Sequence, residues 1–176
     1  MPTSPSILNY FTGTGYATFT PSGGSARDLG NCVAASITPS STAKEHKNQR
    51  SGKAKVDKTD YIDFKMELKL TLDEITLDNL KLLLSGSDIT TNSDGTRTMT
   101  ARAANVSGAI TWTGTNSTGN KFSLTIPSID FGPSGSFDLI TAENAWGEIE
   151  LTGSVNATDN SDGTSDFFTL TETAAS

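Results

Sequence analysis

The stretch that decides the fold is YIDFKMELKLTL, residues 61–72. Ile62, Phe64, Met66, Leu68, Leu70 and Leu72 are apolar, and Tyr61, Asp63, Lys65, Glu67, Lys69 and Thr71 carry polar groups between them. Successive side chains on a strand point to opposite faces. The pattern therefore predicts one strand with an apolar face and a charged face. At about 3.3 Å per residue it would run about 40 Å, about twice a typical strand. That is long for a chain of 176 residues, and the strand follows the most basic segment of an acidic sequence.

That basic segment holds Lys44, Lys47, Arg50, Lys53, Lys55 and Lys58 against Glu45 and Asp57. It carries a net +4, so the rest of a chain of net charge −7 carries −11. After Lys121 there is no Lys or Arg, whereas Asp130, Asp138, Glu143, Glu148, Glu150, Asp159, Asp162, Asp166 and Glu172 all follow. So acidic a body repels phosphate. The basic segment is read first as a solvated loop or a contact with an acidic neighbour. Residues 39–60 lack apolar periodicity and are expected to form an extended loop of a length that ordinary connections do not reach.

Outward from these segments the chain reads as mainly β. ILNYF and YATFT are expected short strands on either side of Gly13-Thr-Gly15, and LGNCVAASIT (29–38) is a further strand. After residue 72 comes one helix. Thr76 is placed to cap it and Asp78 sits in its first turn, where the helix dipole favours an acid. Leu77, Leu80, Leu83 and Leu84 are its expected apolar stripe, and Gly86 its left-handed end. Asp94-Gly95 marks a hairpin. SGAITWT (107–113), NKFSLTI (120–126), GEIELTGSV (147–155) and FFTLT (167–171) are the later strands, with a turn at Asp162-Gly163. The predicted fold is an antiparallel β-sandwich or partial barrel with one flanking helix, in a single domain over 1–176. Residues 156–176 form an acidic, Ser/Thr/Asp-rich end.

Motifs for chemistry approach their patterns and miss. Gly13-Thr-Gly15 lacks the third glycine of a dinucleotide loop, and Gly52-Lys53 lacks the upstream glycine and hydroxyl residue of a phosphate loop. The 158–163 stretch has Thr at the first calcium-ligand position and Thr169 where a glutamate belongs, so it reads as a turn. One His and one Cys, His46 and Cys32, cannot complete a tetrahedral nitrogen and sulfur zinc site. No cofactor, metal or catalytic residue is expected. Glu148 and Glu150 would share a strand face about 7 Å apart, a separation that glycosidases use, but paired acids on a polar strand face are commonplace. Trp112 and Trp146 are read as core aromatics, with a sugar-stacking platform as the alternative. The sequons at Asn105, Asn116 and Asn156 carry little weight, because the N-terminus shows no secretory pattern. No apolar run is long enough to cross a bilayer as a helix.

The order of these features resembles the tail tube proteins of long-tailed, siphovirus-like bacteriophages. The resemblance lies in the Gly-rich start Gly13-Thr-Gly15-Tyr16, the Asp28-Leu29-Gly30-Asn31 turn, SITPSSTAKEHKNQRSGK (37–53), the long strand, the single helix, and ENAWGEIELTG (143–153). Residues 156–176 match no motif. The resemblance implies a non-enzymatic virion protein. Six copies would form a ring, and rings would stack into a hollow conduit through which double-stranded DNA passes without specific binding. It implies tape-measure, terminator and baseplate or tip proteins as partners, no membrane, and assembly in the host bacterial cytoplasm.

The residues fit that picture in their own right. A long strand can line one level of a tube wall, and closing a sheet across subunits removes open edges. Either the Asp63, Lys65, Glu67 and Lys69 face or the Glu148 and Glu150 face would border the lumen. A basic arm on an acidic body suits head-to-tail contact, with Lys44, Lys47, Arg50, Lys53 and Lys55 meeting acids on the next ring. The alternative is a β-sandwich that binds carbohydrate or another cell-surface ligand, as a phage decoration or fibre domain would.

Overall fold

The computed structural model describes residues 6, 9–50, 52–86, 88–102 and 104–174. Strands β1 (Gly15–Pro21), β2 (Arg27–Asp28), β3 (Cys32–Asn48) and β4 (Lys55–Leu72) precede the helix α1 (Leu77–Leu84). Then come β5 (Asp88–Thr91), β6 (Arg97–Thr100), β7 (Val106–Gly114), β8 (Lys121–Phe131), β9 (Ile149–Val155), β10 (Thr158–Asp159), β11 (Ser165–Asp166) and β12 (Thr169–Thr173). The main sheet has the order β2-β1-β7-β8-β9-β4-β3, with β12 added on β8; β5–β6 and β10–β11 are separate hairpins. Every pairing is antiparallel. The expected mainly β architecture with one helix is what the chain adopts.

The sheet folds over itself at β8. One edge of β8 pairs with β12 from Lys121 to Thr125, then with β9 from Ile129 to Phe131. Between these stretches the β7 register shifts, with Gly108 opposite Ile129 but Ile110 opposite Ile126. The extra residue falls at Pro127-Ser128. A bulge bends its strand, and proline tolerates an interrupted ladder. The β3–β4 layer thereby comes to face β7 and β8. Phe19, Leu68, Leu70, Leu72, Ile110, Ile126, Ile129, Phe131, Ile149 and Leu151 are buried between the layers.

The helix closes one end of that core. Thr76 Oγ1 accepts from Asn79 N at 3.1 Å, satisfying one otherwise orphan amide. Leu80, Leu82 and Leu83 are buried, whereas Leu84 is partly exposed. Leu77 packs against the core as well, so the expected stripe holds at Leu77, Leu80 and Leu83, with Leu82 buried in place of Leu84. The chain leaves the helix at once through Ser85 and Gly86, both at positive φ. At the N-terminus, Asn9 to Phe11 are not strand; Ile7 and Leu8 of the expected ILNYF strand lie outside the described residues.

Residues 39–60 depart from expectation in kind. They are not a loop but most of a hairpin, the outer part of β3 and β4, which pair as far out as Asn48 and Lys55. The segment is polar on both faces, so no apolar period marks it. Its strand character comes from cross-strand pairing between Ser/Thr-rich sides.

Candidate functional site

The hairpin projects past the core as an arm. Ile37 pairs with Leu68 and Pro39 with Met66; Ile37, Leu68 and Met66 still pack with the core, and all four line the groove beside it. Beyond them, Ser40 pairs with Lys65 but Thr42 with Ile62, so β4 carries one extra residue. Asp63 occupies the bulge at φ 55, in the left-handed region that Asp tolerates better than most residues. Directly paired residues project to one face. The bulge therefore moves Ile62 onto the face of Lys65, and the Ala43–Tyr61 pair onto the face of Met66. A second extra residue, between the His46–Lys58 and Lys47–Val56 pairs, keeps Val56 on that same face. The unbroken alternation of 61–72 is thus interrupted in space. Phe64 and Tyr61 are 61% and 63% exposed, and Val56 is exposed with them.

The arm is cationic and largely unpaired. Among the described residues, Lys44, Lys47, Arg50, Lys53 and Lys55 have no acidic group at ion-pairing distance, whereas His46 Nδ1 meets Asp57 at 2.5 Å and Lys58 meets Asp60 at 3.0 Å. Among those residues β3 pairs only with β4, so its other edge is open over seventeen residues. An open edge is a template for another strand; Pro39 and the lysines limit it without closing it.

The root of the arm is firmly held. Asn31 N donates to Glu74 Oε1 at 2.9 Å and Asn31 Nδ2 to Asp73 Oδ2 at 2.6 Å, tying the start of β3 to the end of β4. Gly30 takes φ 83 in this turn, where a β-carbon would collide with the Glu74 carboxyl group. Beneath it the Arg27 guanidinium donates to Asn79 Oδ1 at 2.6 Å and to the Asp78 carbonyl at 2.8 Å. Asn79 Nδ2 donates to the carbonyls of Leu29 and Glu74. Burial lowers the Arg27 pKa, and Asp78 opposes that shift. Sequence reasoning overlooked Arg27 and Asn79. The available signal was an Asn set inside a leucine-rich helix.

Where the folded sheet stays open, an apolar groove of about 510 Å³ runs between β3–β4 and β7–β8. Ile37, Met66, Trp112, Leu124 and Phe168 line it, with Cys32 at one end. Burial raises the Cys32 thiol pKa, and its Sγ donates to the Ala34 carbonyl at 3.1 Å; both favour the thiol over the thiolate.

The two candidate charged rows prove to be one surface. Thr71 pairs with Glu150 and Lys69 with Thr152, so Lys65, Glu67, Lys69 and Glu150 share the outer sheet face. Asp63 is displaced from this row by its bulge, and Glu148 precedes β9 instead of lying on a strand beside Glu150. The shared strand face that would set them about 7 Å apart is therefore not formed by these two residues. On the same face, Asp130 Oδ1 accepts from Ser107 Oγ at 2.5 Å and Oδ2 from Asn156 Nδ2 at 2.8 Å. These bonds hold its carboxyl below the usual carboxylate range.

The segment 132–148 forms a long loop between β8 and β9. Leu139, Ile140 and Trp146 on it are 85%, 90% and 90% exposed, beside Asp138, Glu143 and Glu148. Trp146 is thus no core residue, while Trp112 packs against the core as expected. Nothing in this stretch had marked its apolar residues as uncovered, since exposure depends on what folds over a loop. Residues 158–166 form the β10–β11 hairpin, with Asp162 Oδ1 accepting from Thr164 N and Oγ1. Among the described residues, no cluster of His, Cys, Asp or Glu is placed to hold a metal ion, and no helix is long and apolar enough to cross a membrane.

A family model described as "Protein of unknown function UCP028589" matches residues 9–112, more than half of the chain. The match takes in β1, the whole arm and α1, and stops within β7. No curated protein matches the sequence.

Proposed function

Because the chain belongs to this family, whose description assigns no chemistry, we propose its function from geometry and from the tail-tube resemblance: it is a self-assembling structural protein that forms stacked rings around a hollow conduit for DNA. The observation that carries this reading is the arm. It extends a core strand into solvent, with five cations that have no acidic group at ion-pairing distance among the described residues and with exposed apolar side chains. A monomer gains nothing from such a ribbon, whereas a neighbouring copy would cover it. The open edge of β3 supports lateral contact within a ring in the same way. Six copies per ring, and tape-measure, terminator and tip proteins as partners in a virion tail, follow from the resemblance.

The outer sheet face suits a conduit wall. Its cations stand beside acids, so it offers no run of uncompensated positive charge to hold phosphates. Lys65, Glu67, Lys69 and Glu150 are the proposed lumen-facing residues. Sedimentation over a concentration series tests the proposal. Species well above 18.5 kDa are expected, and they should weaken in 1 M salt, where the Debye length falls to about 3 Å. A single 18.5 kDa species at every concentration would contradict it.

One observation favours a second reading, a carbohydrate- or cell-surface-binding module: Trp146 stands free in solvent, as a sugar-stacking side chain would. Quenching or shifting of its fluorescence by oligosaccharides would support that reading, and a flat titration would remove it.

A further inference from the structure

Among the described residues, two of the uncovered apolar surfaces, that of the arm and that of the 132–148 loop, lie apart along one strand. Leu72, the last residue of β4, pairs with Ile149, and Phe137 forms a bridge to Ile149. The 132–148 loop is therefore anchored at the Leu72 end. Phe64 lies at the middle of β4 and Val56 near its other end, about 26 and about 53 Å away at about 3.3 Å per residue. Within one chain the arm and the loop stay apart.

Their charges are opposite. The arm carries Lys44, Lys47, Arg50, Lys53 and Lys55, while Asp138, Glu143 and Glu148 are the only ionisable side chains of the loop. Arm against arm would oppose like charges. The apolar groove is a poorer seat for the loop, because its lining residues Phe168 and Leu170 are flanked by Asp166 and Glu172. The loop and the arm are thus complementary in both charge and apolar character. Contact between different patches that lie apart propagates from copy to copy.

Resting on the stacked-ring reading, we infer that the arm of one copy docks on the 132–148 loop of the next. Val56, Tyr61 and Phe64 pack against Leu139, Ile140 and Trp146, while the arm cations face Asp138, Glu143 and Glu148. Large aromatic anchors ringed by charge are the usual carriers of binding energy, and lysine or arginine over the Trp146 indole adds a cation–π contact.

Two measurements test the contact. First, F64C and I140C, each in a C32S background, are mixed before assembly and treated with a short bismaleimide. A cross-linked dimer is expected from the mixture and not from either variant alone. Dimers from F64C alone at equal yield would overturn the assignment in favour of arm-to-arm pairing. Second, the loop variant L139S/I140S/W146S, altered only at exposed positions, is compared with the unaltered chain by pelleting and electron microscopy. At least a tenfold loss of pelletable tubes, with single rings retained, supports the contact. Tubes at the unaltered yield would overturn it while leaving the stacked-ring reading intact. An unaltered chain that never assembles would remove that reading and the contact together.

Discussion

Lys69 Nζ lies 3.7 Å from Glu150 Oε1, across the β4–β9 pair. Both side chains are about half exposed, so the pair adds little stability, within about 1 kcal/mol. Its consequence is electrostatic. It joins two charged rows into one surface on which neither sign dominates.

Making that face cationic should change DNA handling and not folding. E67K/E150K is expected to unfold within about 1 kcal/mol of the unaltered chain, as surface substitutions usually do. Its assemblies should retain double-stranded DNA at low salt and release it as salt rises. Filter retention of labelled DNA at several salt concentrations checks this; equal retention by both proteins would place the face away from the DNA path.

Shortening the arm should separate folding from assembly. Ala43 pairs with Tyr61, so joining them through Asn-Gly in place of residues 44–60 preserves the register and supplies a favoured two-residue turn. All the removed residues that the structure describes are exposed. The melting temperature should move by only a few degrees, since about 1 kcal/mol corresponds to about 2–4 °C at this size. Tubes should be lost. Long tubes from this variant would refute the arm's role.

The polar network under the arm's root is centred on the buried Asn79 and should matter for stability. Asn79→Ala strips the Arg27 guanidinium of one acceptor and leaves the Leu29 and Glu74 carbonyls without that donor. A loss of about 1–3 kcal/mol in urea unfolding is expected. A change near zero would show that water replaces the amide without cost.

Acid sensitivity should trace in part to Asp130. Its pKa is depressed in the folded state by hydrogen bonds from Ser107 and then Asn156. A depressed carboxyl contributes stability that is present above its unfolded pKa of about 3.9 and is lost as pH falls through the lower folded value. Ser107→Ala should therefore lower stability near neutral pH and flatten its decline below about pH 4. Parallel pH profiles for the two proteins would contradict this.

How far the sequence revealed the fold can be judged from particular residues. Leu68, Leu70 and Leu72 alternate with charge and pack as their period predicts, and Thr76 caps its helix as its chemistry predicts. The bulge at Asp63 was hidden, because a bulge depends on the partner strand and not on the run itself. The strand character of 39–60 was hidden too, since both faces are wet and no period records them. The cations of the arm were legible as a basic run, but the bare apolar side chains at its base and on the 132–148 loop were not. Composition tells which residues are apolar and only the fold tells which are left uncovered.

The most direct test of the central claim is negative-stain microscopy of the purified full chain. Hollow tubes or six-fold rings are the predicted result. A field of isolated small particles, unchanged by concentration or by lower salt, would contradict it.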